Sequence, residues 1–245
     1  MELEIALMIV GGLIGVIGLA SLVVSGWLAF QYHSFNEKEN SAGLTGEETA
    51  RKILDDNDLS HIKVKVTGSL LFGNSYSHVF KKVRIRRFTR NKHSITALGI
   101  GAQKASLAIL DKEGDPEMKT RIKLYPLITF GPFMFVPLIT VGFLLEYFVF
   151  NQTGLWVYIL GGLGLLFYVL AVVLTVLTLK TEKKAQEKAY EILRNSNMAT
   201  EEELNDLKQL FHLYNVQYVN DIILAALELI YTILQIAIAS KLEKD

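Results

Sequence analysis

Four long apolar stretches alternate with polar ones along the chain. Ile5–Phe30 runs for 26 residues without a charge, and Tyr125–Phe150 for 26 with one, Glu146. Trp156–Leu179 is 24 uncharged residues, and Ile222–Ala239 is 18 with one charge, Glu228. A bilayer core of ~30 Å takes roughly 20 helical residues. The pattern therefore predicts transmembrane helices over residues 5–30, 125–150 and 156–179. The 222–239 stretch lies at the short limit and reads as a fourth span or as a buried or interfacial helix. Met1-Glu-Leu-Glu is acidic where a signal peptide is basic, and the run that follows is too long for a signal core. The first segment is expected to stay as an anchor.

Between the spans the pattern changes to that of folded polar structure. In residues 31–124, Thr45-Gly-Glu-Glu48 is a capping box, which predicts a helix from about Gly46 to Asp56. Ile62-Lys-Val-Lys-Val66 alternates apolar and basic positions, as a half-buried strand does. A Gly73-Asn-Ser turn and a second strand over Val79–Ile85 follow. His93–Leu110 reads as a helix with Ile95, Leu98, Ile100, Leu107 and Leu110 inward, stopped by Asp-Lys-Glu-Gly. Residues 180–221 read as a helical extension of the third span, a turn near Asn195-Ser-Asn197, and a helix opened by a second capping box, Thr200-Glu-Glu-Glu203.

Composition alters this picture only in part. Lys and Arg total 25 against 25 Asp and Glu, so net charge gives no argument for a nucleic-acid partner. The chain has no cysteine, which excludes disulfides, iron–sulfur clusters and thiolate zinc sites. The placement of the basic residues says more. Residues 31–124 hold 17 of them and 180–221 hold 6, with none in 151–155. By the positive-inside rule both polar segments are expected in the cytoplasm, in a multi-pass protein of the plasma membrane.

Several short motifs then carry a resemblance. Ser41-Ala-Gly-Leu-Thr-Gly-Glu-Glu48 with Ala50-Arg-Lys-Ile-Leu-Asp-Asp-Asn57, Lys82-Val-Arg-Ile85, and Ala97-Leu-Gly-Ile-Gly-Ala102 resemble the membrane-bound neutral zinc metallopeptidase family of bacteria. Glu182, Ala189-x-Glu-Ile-Leu193, Thr200-Glu-Glu-Glu-Leu204 and Tyr218-Val219 are similar to that family's later segments. The resemblance covers nearly the whole chain in the same order. It implies an integral membrane α-helical protein of three to four transmembrane helices, with a cytoplasmic α+β portion on a zinc-metallopeptidase-like scaffold.

The chain departs from the family where the chemistry sits. After Ala102 the family has H-E-x-x-H, whose histidines hold zinc from one helix face while the Glu activates water. Here those positions read Gln103-Lys104-Ala105-Ser106-Leu107. Both histidines are replaced, by Gln103 and Leu107, and the general base by Lys104. Glu182 falls at the family's third, acidic ligand. The expectation is a degenerate site with no catalytic residue, no metal and no cofactor. None of the five histidines, at 33, 61, 78, 93 and 212, forms an i, i+4 pair. A site assembled from His78, His93 and Glu182 is the remaining metal arrangement, and residues two apart rule out a Ser106–Lys104 dyad.

Three other features stand out. No acidic residue lies between Asp58 and Asp111, while Lys81, Lys82, Arg84, Arg86, Arg87, Arg90 and Lys92 cluster there. They read as positive-inside residues or as contacts to anionic lipid; with only Phe80 and Phe88 nearby, nucleic acid fits poorly. Glu228 is an ionisable group inside a span, and so a functional candidate. Gly11, Gly15, Gly18 and Ser21 form a small-residue strip suited to helix packing, within the chain or in an oligomer. Asn151-Gln-Thr153 is a glycosylation sequon. The sequence therefore predicts a pseudopeptidase, a binding or regulatory protein with the lipid bilayer and a membrane protein as partners. An active metallopeptidase with a relocated metal site, or a structural subunit of a membrane complex, is the alternative.

Overall fold

A computed structural model describes residues 2–67, 73–150 and 154–242, with the 151–153 sequon outside the described residues. In chain order the elements are α1 (Glu2–Glu37), α2 (Gly46–Asp56), β1 (Lys63–Thr67), β2 (Ser75–Ser77), β3 (Lys82–Arg86), α3 (Arg87–Arg90), α4 (Ile95–Glu113), α5 (Pro116–Leu145), a π-helical turn (Glu146–Phe150), α6 (Leu155–Asn195) and α7 (Glu201–Leu242). They fall into two compact units. One takes Met1–Leu22, Lys123–Thr178 and Val219–Asp245, the other Val23–Ile122 and Leu179–Tyr218.

The first unit holds the apolar runs. Among the described residues four helices are long and apolar enough to cross a membrane, the fourth being α7, which contains the 222–239 stretch. Large apolar side chains such as Leu19, Phe133 and Val136 face outward. An apolar surface of that extent needs lipid around it, which makes this a membrane protein. Inside the unit α5 and α6 approach at their glycines. A Cβ on Gly131 would come within 2.8 Å of the Phe167 carbonyl, and one on Gly164 within 2.8 Å of the Phe135 Cα. Glu146 is buried, and its Oε1 accepts the N–H groups of Trp156 at 2.6 Å and Val157 at 3.1 Å. A carboxylate at a helix start meets backbone donors that have no partner within the helix. Glu146 is thus a cap on α6.

The second unit is α+β. Both capping boxes form: Thr45 and Glu48 exchange bonds at the start of α2, and Thr200 and Glu203 do so at the start of α7. Every residue of α4 from Ile95 to Leu110 is buried. Around it pack Ala50, Ile53 and Leu54 of α2, Val83 and Ile85 of β3, Ala189 and Leu193 of α6, and Leu204 and Leu207 of α7. The helix is enclosed on every side, where its sequence indicated one inward face, and it takes the polar Thr96, Gln103, Lys104 and Ser106 into the interior with the apolar residues. At the crossing with α2, a Cβ on Gly101 would lie 2.5 Å from the Gly46 carbonyl, so the two backbones touch.

The sheet order is β1-β3-β2, with β1 parallel to β3 and β2 antiparallel to it. The second strand starts at Lys82, since Val79 and Phe80 belong to a turn that Lys81 completes at φ 44°. The three-residue β2, Ser-Tyr-Ser, carries no strand signal of its own and exists by pairing with β3. α4 begins at Ile95, capped by the Ser94 hydroxyl, and ends at Gly114 in the left-handed region at φ 74°. That is the stop its Asp-Lys-Glu-Gly implies.

Candidate functional site

α4 brings Gln103 and Lys104 to the core of the second unit, and the beginning of the polar part of α6 brings Glu182 to meet them. The Lys104 Nζ lies 2.7 Å from Glu182 Oε2, and the Gln103 Nε2 donates to the same oxygen at 3.0 Å. The other oxygen, Oε1, accepts from Arg121 Nη2 at 3.0 Å. Arg121 Nη1 in turn bonds the Thr181 hydroxyl at 2.7 Å. Glu182 is 3 % exposed and Lys104 6 %. Three residues singled out in the sequence are thus in one hydrogen-bonded cluster, and Arg121, which the sequence did not mark, completes it.

The electrostatics follow from the geometry. Burial by itself raises the Glu182 carboxyl, because it penalises the charged form. The Lys104 and Arg121 charges outweigh that penalty and hold it at about 2. A carboxyl held below its ordinary 4.5 stabilises the fold above that pH and loses its contribution as pH falls toward 2. At 1.36 kcal/mol per unit the amount is on the order of 3 kcal/mol. Thermal unfolding of the detergent-solubilised protein is therefore expected to drop more steeply from pH 5 to pH 3 than that of a Lys104→Met/Glu182→Leu variant. Parallel pH profiles would show that the cluster does not titrate in this way.

A catalytic zinc needs three neutral or anionic donors, His nitrogen or carboxylate oxygen, at about 2.0–2.2 Å. These residues do not fit one. Gln103 turns its amide nitrogen inward, Lys104 is a cation, and both Glu182 oxygens are taken by N–H donors. Leu107, one turn from Gln103 on α4, is 1 % exposed and packs with Leu110, Met118 and Ala185. The arrangement can hold a carboxylate rigidly and carries a net positive charge. It offers no donor set for a zinc ion.

The other metal arrangement does not assemble. His78 Nδ1 lies 2.6 Å from Asp111, and His93 Nδ1 lies 2.7 Å from the Gly43 carbonyl. Among the described residues no three His, Asp or Glu side chains are grouped to hold a metal ion. Ser106 Oγ is buried and has no hydrogen-bond partner among the described residues, and the Lys104 ammonium is committed to Glu182.

The basic cluster is less uniform than the sequence implied, because the fold brings acids to it from outside the 58–111 stretch. Arg90 pairs with Glu47, Lys92 with Glu37 at 2.9 Å, and Lys81 lies 3.9 Å from Asp111. Lys82 sits over the exposed Phe80 ring, 4.5 Å from its centroid. Lys82, Arg84 and Arg86 alternate along β3 with the buried Val83 and Ile85, and Arg87 follows in α3. Within the membrane unit, Glu228 accepts a hydrogen bond from the Tyr168 hydroxyl at 3.4 Å. On the small-residue strip, a Cβ on Gly11 would lie 3.4 Å from the Tyr231 ring, while one on Gly15 or Gly18 would meet no other described element within 4 Å.

A cavity of about 220 Å³ opens beside the cluster, lined by Asn74, Arg86, Gln103, Lys104, Tyr214 and Tyr218 among others. A wider groove of about 680 Å³ runs between α6 and α7, bounded by Gln186 and Asn215, whose amides bond each other.

Comparison with known proteins gives this geometry a lineage. The family model described as "Putative neutral zinc metallopeptidase" matches residues 9–237. The "Putative membrane protease YugP" of Bacillus subtilis (strain 168) is 28% identical over 217 residues, which are 86% of this chain and 91% of that protein. No solved structure matches the chain. With the match running through both units and the buried cluster, the chain belongs to the neutral zinc metallopeptidase family of membrane proteins.

Proposed function

We propose that this chain is a catalytically silent member of its family, a pseudopeptidase that acts as a binding or regulatory protein at the membrane. The observation that carries the reading is the Lys104–Glu182–Arg121 cluster. At the position where the family resemblance expects zinc, a buried ammonium 2.7 Å from the single acidic candidate takes the place of the metal charge. The cation balances the carboxylate and keeps the helices α4 and α6 joined, which is the structural part of a metal's role without its Lewis acidity. On this reading the polar segments lie on the cytoplasmic side of the plasma membrane, and the partner is another membrane protein.

The test is hydrolysis. Full-length protein in detergent, incubated with a fluorogenic casein substrate, is expected to show no cleavage that 1,10-phenanthroline suppresses. Cleavage that the chelator abolishes, and that Glu182→Gln also abolishes, would overturn the proposal.

A further inference from the structure

The cavity beside the cluster has a donor and acceptor pattern of its own. Among the described residues no Asp or Glu lines it, while Arg86 and Lys104 do. Lys104 is neutralised by Glu182, but the exposed Arg86 guanidinium has no ion pair among the described residues. Its backbone is tied to the neighbouring turn. The Arg86 backbone N–H donates to Asn74 Oδ1 at 2.7 Å, and the guanidinium lies against Gly73, where a Cβ would be 3.4 Å from Nη2. The side-chain amides of Gln103 and Asn74 leave a complementary pair unused. Gln103 spends its Nε2 on Glu182 and keeps Oε1, and Asn74 spends Oδ1 on Arg86 and keeps Nδ2. One guanidinium and two side-chain amides, each with one polar atom outside these bonds, therefore line a single small cavity.

We infer that this cavity binds the C-terminal end of a peptide, with Arg86 taking the terminal carboxylate and Gln103 and Asn74 the last peptide unit. A guanidinium matches a carboxylate with two parallel N–H bonds. The free Gln103 oxygen matches a peptide N–H, and the free Asn74 amide matches its carbonyl. At about 220 Å³ the space is below the range for drug-sized ligands and suits a terminal residue with a small side chain. The inference rests on the pseudopeptidase reading, since it uses Gln103 in the state that the Glu182 bond imposes. A site that binds a chain end and cannot cut it is a receptor for cleaved or naturally ending peptides.

Titration calorimetry on the full chain in detergent tests it, with acetyl-Gly-Ala as free acid, the same peptide as C-terminal amide, and inorganic phosphate as probes. The free acid is expected to bind at least about tenfold more tightly than the amide, the worth of one charge-assisted hydrogen bond. Arg86→Gln should remove that preference with the melting temperature unchanged, because the guanidinium is exposed. Absence of binding, equal binding of acid and amide, or competition by phosphate at similar concentration would each overturn it. The zinc content of the same sample separates the two readings. Failure in zinc-free protein rejects the peptide-end site alone, whereas about one equivalent of zinc rejects the pseudopeptidase reading beneath it.

Discussion

Glu182→Leu is expected to lower the stability of the protein by about 3–5 kcal/mol, the cost of leaving a buried charge without its partner. Lys104 is 6 % exposed and has no other carboxylate within an ion-pair distance among the described residues, so the loss of Glu182 strands an ammonium in the core. Arg121 loses its carboxylate as well, but it is 17% exposed, keeps the Thr181 hydroxyl, and has water within reach. For a chain of this size the change corresponds to a fall in melting temperature of roughly 10 °C. Adding Lys104→Met should return most of it, because removing both charges of a buried pair is far less costly than removing one. Thermal unfolding of the wild type, the two single variants and the double variant gives the coupling directly. Additive single losses would mean that the pair contributes nothing as a pair.

The second large effect is a gain. Combining Gln103→His, Lys104→Glu and Leu107→His is expected to give a chain that takes up about one equivalent of zinc. Positions 103 and 107 lie one turn apart on α4, and Glu182 already faces position 103 from α6. Two imidazoles and one carboxylate are the donor set of a catalytic zinc. Without metal the new glutamate would repel Glu182 in the core, so the apo variant should melt well below the wild type and recover on adding zinc. Arg121 still holds one Glu182 oxygen, which leaves the other for the metal. Zinc-dependent melting in the triple variant, with no response in the wild type, is the expected result. A variant that folds but does not respond to zinc would place the implied metal position elsewhere.

Much of this was legible in the sequence, for physical reasons that differ from element to element. The apolar runs and the two capping boxes are local signals, and α2 starts and stops where Thr45 and Glu48 imply. The meeting of Gln103, Lys104 and Glu182 is not local, since Glu182 lies 79 and 78 residues from its partners. It was read only because the order of motifs resembled a family whose ligands converge. Arg121 belongs to no such motif. At the edge of an apolar run it looks like any positive-inside residue, and only the fold turns it toward Glu182. The ion pairs of the basic stretch from Lys81 to Lys92 were not legible, for a related reason. Counting acids along the chain misses Glu37, Glu47 and Asp111, which reach it through space. The strand β2 was missed because three residues of Ser-Tyr-Ser have no periodicity to detect, and its existence depends on β3.

The most direct test of the account is the metal content of the unaltered protein. The full chain would be purified in detergent from zinc-supplemented cells, dialysed without chelator, and measured by mass spectrometry against protein concentration. The Lys104 ammonium beside Glu182 opposes any divalent cation there, and the account predicts less than ~0.1 equivalent of zinc. Close to one equivalent, lost in Glu182→Ala, would contradict it and make the chain a metal-binding member of its family.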